Sequence, residues 1–292
     1  MKRKRRRLSA FEVCNYALFT LVALLMVFPI WNVIVISLAD YKEYVENPLM
    51  LFPKKITFSA YQQIFATSEL LNSLWISVFI TVVGTTLSMV CTVCAAYALS
   101  KRNLPGRKII FMFFIITMFF NGGMIPNFLL VKNIGLYDTV WSMILPTVVN
   151  TWYLIIMKNF FAAIPAALEE SARIDGAGVF RILWSIIIPV SGPIIATIAL
   201  FYGVEKWNEW WNAMLYLNDA NLFPLQLVLR NLIVKDAATS SMLTSYIHSG
   251  AFVAKESTKM ATAVVAILPI TLVYPFLQKY FAQGIMVGSI KS

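Results

Sequence analysis

Along the chain, apolar residues gather into long blocks separated by short polar stretches. The blocks run to roughly 18–28 residues, the length a helix needs to cross about 30 Å of hydrocarbon at about 1.5 Å per residue. Six spans are expected, at about 13–38, 71–99, 109 up to the cluster NGGMIPN (121–127), 140–157, 186–204 and 260–280. The predicted fold class is an all-α membrane protein. Residues 1–70 form a basic N-terminus, the first span and an external segment; 71–281 hold the five-span core, with a loop at about 158–188; and 282–292 form a tail.

The stretches between the blocks read as breaks. Pro48 and Pro53 interrupt a mixed-charge segment too polar for lipid, and SKRNLPGRK (100–108) is a tight basic turn. NGGMIPN should end or kink the third span, because Gly and Pro free backbone groups that lipid cannot satisfy. FLLVKNIGLYDT, which follows, reads as a short interfacial helix and turn. Gly84, Ser88, Ala95 and Ala96 suit close helix packing in the second span. A long polar stretch, 212–258, separates the last two spans.

Composition supports this reading. Of 292 residues 59% are hydrophobic and 13% charged, against about 25% charged in soluble domains. The net charge of +10 owes much to KRKRRR at residues 2–7. A basic cluster beside an apolar block marks a cytoplasmic flank that meets anionic lipid; no nucleic-acid module accompanies it. With both ends inside, the inner segments carry 15 of the 24 Lys and Arg, and nine are spread over longer outer loops. The N-in, C-in topology follows. Ser37-Leu38-Ala39 passes for a signal-peptidase site, but the apolar stretch before it exceeds an ordinary signal core, so a retained span is expected. Cys91 and Cys94 form a CxxC within an apolar helix, where thiols stay protonated and serve as small packing residues. The sole histidine, His248, lacks a second ligand, and no metal site is expected.

One stretch stands apart: EESARIDGAGVFRILWSIIIP (169–189), too polar to cross and, by the charge pattern, cytoplasmic. Pro165 suits a first helical position, Glu169 and Glu170 favour the positive end of the dipole, and Asp175-Gly176 is a helix stop. A short helix over 165–175 is predicted, with Leu168, Ser171, Ala172 and Asp175 on one narrow face. A second helix follows from Ala177 and leads to Pro189, where the fifth span is entered or kinked. Helix physics alone leaves two readings, a helix that enters a groove on another protein and an interfacial connector.

The stretch resembles the cytoplasmic "EAA" loop of ABC importer permeases. That pattern has Glu-Ala-Ala, three residues, Gly, nine residues, then Ile-x-Leu-Pro. Here the matching residues are Glu170-Ser171-Ala172, Gly176 and Ile186-Ile187-Ile188-Pro189, with Ser171 and Ile188 as conservative departures. Residues 121–146, 207–234 and 278–291 are similar to the oligosaccharide branch, so the resemblance covers most of the chain from about Asn72. It implies a type I ABC importer permease fold in a bacterial inner membrane. It further implies a second permease in a heterodimer, a dimer of separate ATPase subunits, an extracytoplasmic solute-binding protein and a sugar or oligosaccharide substrate. By the same resemblance, Glu169, Glu170, Ser171, Ala172, Asp175, Gly176, Ala177 and Pro189 form the ATPase-coupling set. The chain has no G-x-x-x-x-G-K-[ST] phosphate loop, so ATP and Mg are expected on the partner, with no cofactor and no catalytic residue here.

Pathway residues are less defined. Trp207, Asn208, Glu209, Trp210 and Trp211 sit at the outer end of the fifth span. Tryptophan there is either an interfacial belt or, with Asn208 and Glu209, a surface for sugar or binding protein. Polar groups at membrane depth, Asn121, Asn127, Asn150 and Thr151, tend to face a cavity or another helix; Asn150 and Trp152 are candidates to line the pathway. Glu205 and Glu209, one turn apart, are weak evidence for a glycosidase without an acid/base environment. An ion-driven secondary transporter would need midplane ionisable residues and paired broken helices in two repeats, and a membrane hydrolase would need a nucleophile, paired Asp or metal ligands.

Overall fold

The computed structural model describes residues 9–47, 49–66, 68–240, 257–273 and 275. The basic run 2–7, His248, the tail 278–291 and most of the sixth expected span beyond 273 lie outside them. Two compact units divide the chain, 1–67 with 232–267, and 68–231 with 268–292.

In the first unit, α1 (Ala10–Leu38) is apolar all round and buries only Val35, Ile36 and Ser37. That is the surface of a helix meant for lipid. A capping box between Ser9 and Glu12 starts it. Two short helices follow, α2 (Tyr41–Glu46) and α3 (Ser59–Ala66). The segment is fastened to the last turns of α1 and to itself: the Trp31 indole donates to the Leu51 carbonyl at 2.7 Å, Ser37 Oγ lies 2.8 Å from Tyr61 Oη on α3, and the Glu43 carboxylate on α2 accepts from the Lys54 amide at 2.5 Å.

The second unit is organised on α4 (Ser68–Ser100), 33 residues long and hence about 50 Å. Its buried side is mostly small: Ser73, Ser77, Gly84, Ser88, Thr92 and Ala96 recur every three or four residues beside Ile80. Small side chains let backbones approach closely where lipid supplies no hydrophobic drive between helices. After α4 come α5 (Arg107–Phe119), α6 (Met124–Asn133) and α7 (Trp141–Ile144). Next are α8 (Thr151–Ala163), α9 (Ala166–Ile174) and α10 (Val179–Ile182). A π turn (Leu183–Ile187) leads to α11 (Ile188–Val190) and α12 (Gly192–Trp207). Beyond lie α13 (Trp211–Tyr216) and α14 (Leu225–Ser240), whose end enters the first unit.

Both α8 and α12 pack on α4. Their core joins Val93, Ala96 and Tyr97 to Met157, Phe161, Ile194, Ile198 and Tyr202, and reaches Ala172 and Ile182 below. Tyr202 is the polar centre: its hydroxyl lies 2.8 Å from Thr92 Oγ1 and accepts from the Asn150 amide at 2.9 Å. Tyr202→Phe strips both groups of a buried partner and should cost about 1–3 kcal/mol. Thermal unfolding in detergent reads this as a lowered midpoint; an unchanged midpoint would show that the hydroxyl holds nothing.

Two helices among the described residues, α1 and α4, are long and apolar enough to cross a membrane unbroken; three more candidates are bent pairs. The third expected span bends by 119° between α5 and α6, at NGGMIPN as anticipated. Asn121 Oδ1 holds the break, accepting from the Gly123 amide at 2.9 Å and Asn127 Nδ2 at 3.1 Å. The short helix after it starts earlier than expected, at Met124, because Pro126 sits in the first turn where its missing N–H costs nothing.

The fourth expected span needs correction, and the fifth bends close to Pro189 as anticipated. Residues 140–157 are not one helix: α7 ends at Ile144, Pro146 follows, and α8 starts at Thr151 with Asn150 Oδ1 accepting from the Trp152 amide at 3.0 Å. The fifth turns by 87° at Ser191 between Val179–Val190 and α12. Pro189 and Pro193 flank that corner, and neither has an N–H to continue the ladder. The polar stretch 212–258 is not wholly loop either, since α13 and α14 occupy part of it.

Candidate functional site

The polar loop forms the short helix predicted, bounded one residue inside the expected limits. Pro165 is its N-cap rather than its first helical residue. Its C-terminus is closed by the Gly176 amide to the Arg173 carbonyl (3.0 Å) and the Ala177 amide to the Ala172 carbonyl (2.9 Å), with Gly176 at φ +79°. That left-handed turn is why glycine stands there.

The two sides of α9 differ, and not as the narrow-face reading predicted. Ala172 is 8% exposed and belongs to the chain's own core. Glu169 also faces inward: its carboxylate pairs with Lys101 just past the end of α4, and lies 3.8 Å from Arg173 Nη2. The Lys101 ammonium in turn sits 4.1 Å from the Tyr97 ring centre. Glu169 and Ala172 therefore fasten the loop to α4 and the core. Leu168, Glu170, Ser171, Asp175 and Gly176 are exposed, Ala177 is half-buried, and Pro189 stands on the π turn's far side beside the 87° bend. Apolar residues the sequence reading passed over are strongly exposed too, Ile174 at 86% and Phe180 at 77%, with Val179 and Trp184 also exposed. Their signal was present: each breaks the polar run of a segment judged too polar for lipid.

The pathway candidates separate. Asn150 caps α8 with its side chain, and Trp152 beside it is exposed. Trp207 is buried at 5%, so it packs rather than presenting an open aromatic face. Asn208 is exposed at the end of α12; its amide nitrogen donates to the Val204 carbonyl at 2.9 Å, and its Oδ1 accepts from Gln226 Nε2 at 3.4 Å. Glu209, two residues before α13, accepts from the Asn212 amide at 2.9 Å and from Asn212 Nδ2 at 3.2 Å. Trp211 is 46% exposed and packs edge-on to Trp210, ring centres 5.5 Å apart. The Arg230 guanidinium carbon from α14 lies over the Trp210 ring, 4.7 Å from its centre.

Nearby, Asp138 accepts from the amides of Asn218 (2.8 Å) and Asp219 (3.0 Å), tying the turn before α7 to the segment after α13. The Asp219 and Asn218 amides hold its carboxyl below the ordinary carboxylate range.

Lys206, counted as an outer-loop charge in the positive-inside reading, is instead 4% exposed within α12. Its stem crosses Gly84, where an added Cβ would stand 3.3 Å from Cδ. Its ammonium donates to the Met143 carbonyl at 3.3 Å and to Thr147 Oγ1, satisfying the carbonyl end of the broken fourth span. Glu205 next to it is exposed; the two glutamates one turn apart do not share an enclosed site.

Comparison with known proteins fits this architecture. The family described as the binding-protein-dependent transport system inner membrane component matches residues 84–287. The polygalacturonan/rhamnogalacturonan transport system permease protein YtcP of Bacillus subtilis is 44% identical over 96% of this chain and 98% of its own. Protein LplC of the same organism is 43% identical over 96% of this chain and 95% of its own. A solved bacterial ABC transporter involved in the import of the acidic polysaccharide alginate superposes with a TM-score of 0.85 at 33% identity, covering 94% of this chain and 99% of that one. Transport that depends on a binding protein sets these apart from self-sufficient, ion-driven carriers. This chain belongs to the binding-protein-dependent transport system inner membrane component family, as a multi-pass permease of the ABC type in the bacterial membrane.

Proposed function

We propose that this chain is one transmembrane half of an ATP-driven importer, with six spans, both ends inside, and α9 as the lever that a separate ATPase moves. The observation that carries the coupling role is the division of α9. One side is pinned to α4 and the core through Glu169–Lys101 and Ala172, and Ile174 stands open beside the Gly176 turn. A rigid short helix of this kind passes a partner's displacement to the spans it is fastened to, which suits a two-state rigid-body mechanism. Glu170, Ser171, Asp175 and Gly176 contact the ATPase in this reading, while Glu169 and Ala172 hold the lever in place.

The partners are a second, related permease, two ATPase subunits that bind ATP and Mg, and an extracytoplasmic binding protein that delivers the solute. The substrate is an acidic oligosaccharide. YtcP and the alginate transporter are named for polymers rich in sugar carboxylates, and this chain is 44% and 33% identical to them.

Gly176→Val tests the lever. A β-branched residue at φ +79° is strained by at least about 1–2 kcal/mol, with nothing within 4 Å of the added Cβ to clash. The loop's turn should shift while insertion survives, and the assembled complex should hydrolyse ATP without moving sugar. Normal transport by this variant would sink the coupling role of α9.

A further inference from the structure

We infer that Arg230, Trp210, Trp211, Asn208 and Gln226 form a carboxylate-reading sugar subsite at the outer end of α12. This rests on the reading above, which places that end outside the membrane and the substrate among acidic oligosaccharides. Three elements build the cluster. Asn208 closes α12 and receives a hydrogen bond from Gln226 on α14. Arg230, four residues further along α14, lies on the same helix face as Gln226. Trp210 and Trp211 lead into α13.

The guanidinium carbon lies over the Trp210 ring, 4.7 Å from its centre, a cation–π contact that does not use the N–H donors of the fork. Among the described residues, no carboxylate lies within ion-pair distance of that fork. Glu209, the nearby acid in sequence, is occupied by Asn212. A half-buried guanidinium held over an indole, with no carboxylate paired to it among the described residues, is a ready receptor for a planar bidentate carboxylate. The exposed Trp211 ring offers an apolar face to the pyranose carrying that carboxylate, and the Asn208 and Gln226 amides lie within the same cluster to meet its hydroxyls. Neutral sugars would use the indole and the amides but leave the fork unpaired.

The test uses the purified permease–ATPase complex without binding protein. Trigalacturonate and its methyl ester are titrated onto wild type, Arg230→Gln and Arg230→Lys by calorimetry, beside ATP-driven uptake of both sugars by the full importer in liposomes. Wild type should bind the acid roughly tenfold or more tighter than the ester, as expected for a charge-assisted bidentate contact. That preference should vanish in Arg230→Gln and shrink in Arg230→Lys, with ester binding unchanged. Equal binding of acid and ester by wild type, or a preference that survives in Arg230→Gln, overturns the subsite, while uptake of trigalacturonate keeps the substrate reading intact. Uptake of the ester but not the acid overturns both.

Discussion

Ile174→Asp is expected to leave the chain folded in its membrane and to strip it of its ATPase. At 86% exposure the isoleucine supports nothing within the chain, and substitutions at such positions shift stability by only about 0.5 kcal/mol. Seated in a partner's cleft, the same side chain is worth about 1.5–3 kcal/mol of burial. A carboxylate in its place adds the cost of an unpaired charge in an apolar contact. Together these predict a loss of affinity of about a hundredfold or more. Pull-down of the ATPase on the tagged variant reads this directly. Phe180→Ala, on the neighbouring exposed ring, should weaken the complex less, by removing contact without adding charge. An Ile174→Asp variant that retains its ATPase at wild-type strength would show that α9 docks by another face or not at all.

Lys206→Ala should be the most damaging single substitution in the bundle. Two losses combine. The stem between Gly84 and α7 disappears, leaving a cavity, and the Met143 carbonyl and Thr147 hydroxyl lose their donor. Truncation of a long buried side chain costs about 2–5 kcal/mol, and the stranded carbonyl about 1–3 kcal/mol more. Lys206→Met separates the two, since it keeps most of the stem and removes only the ammonium. Thermal midpoints in detergent should fall in the order wild type, Met, Ala. A Met variant more stable than wild type would mean that the buried cation burdens the fold rather than closing the end of α7.

These two residues mark what could be read from the sequence and what could not. Local chemistry was legible: α1 and α4 follow from unbroken apolar runs, and the short loop helix follows from Pro165, the paired glutamates and Gly176. Where a proline could either end a helix or begin one, periodicity could not decide. Pro146 therefore turned the expected straight fourth span into a broken one, with Asn150 capping the restart, while the fifth bends two residues past the Pro189 kink that was expected. Faces were harder still. Ala172 and Asp175 share a side by helical spacing, yet only the burial of Ala172 in the core shows that it points home. Lys206 looked like a loop charge because counting residues cannot see a lysine reaching back across Gly84. Arg230 and Trp210 lie 20 positions apart, and nothing local in either segment announces that they meet.

The central claim is that this permease works as a lever for a separate engine. Purification of the tagged chain from its native membranes in mild detergent, with mass spectrometry of whatever accompanies it, tests that most directly. The account predicts recovery with one second permease and two copies of an ATPase. A chain that emerges alone, and moves sugar in liposomes without ATP, would contradict it.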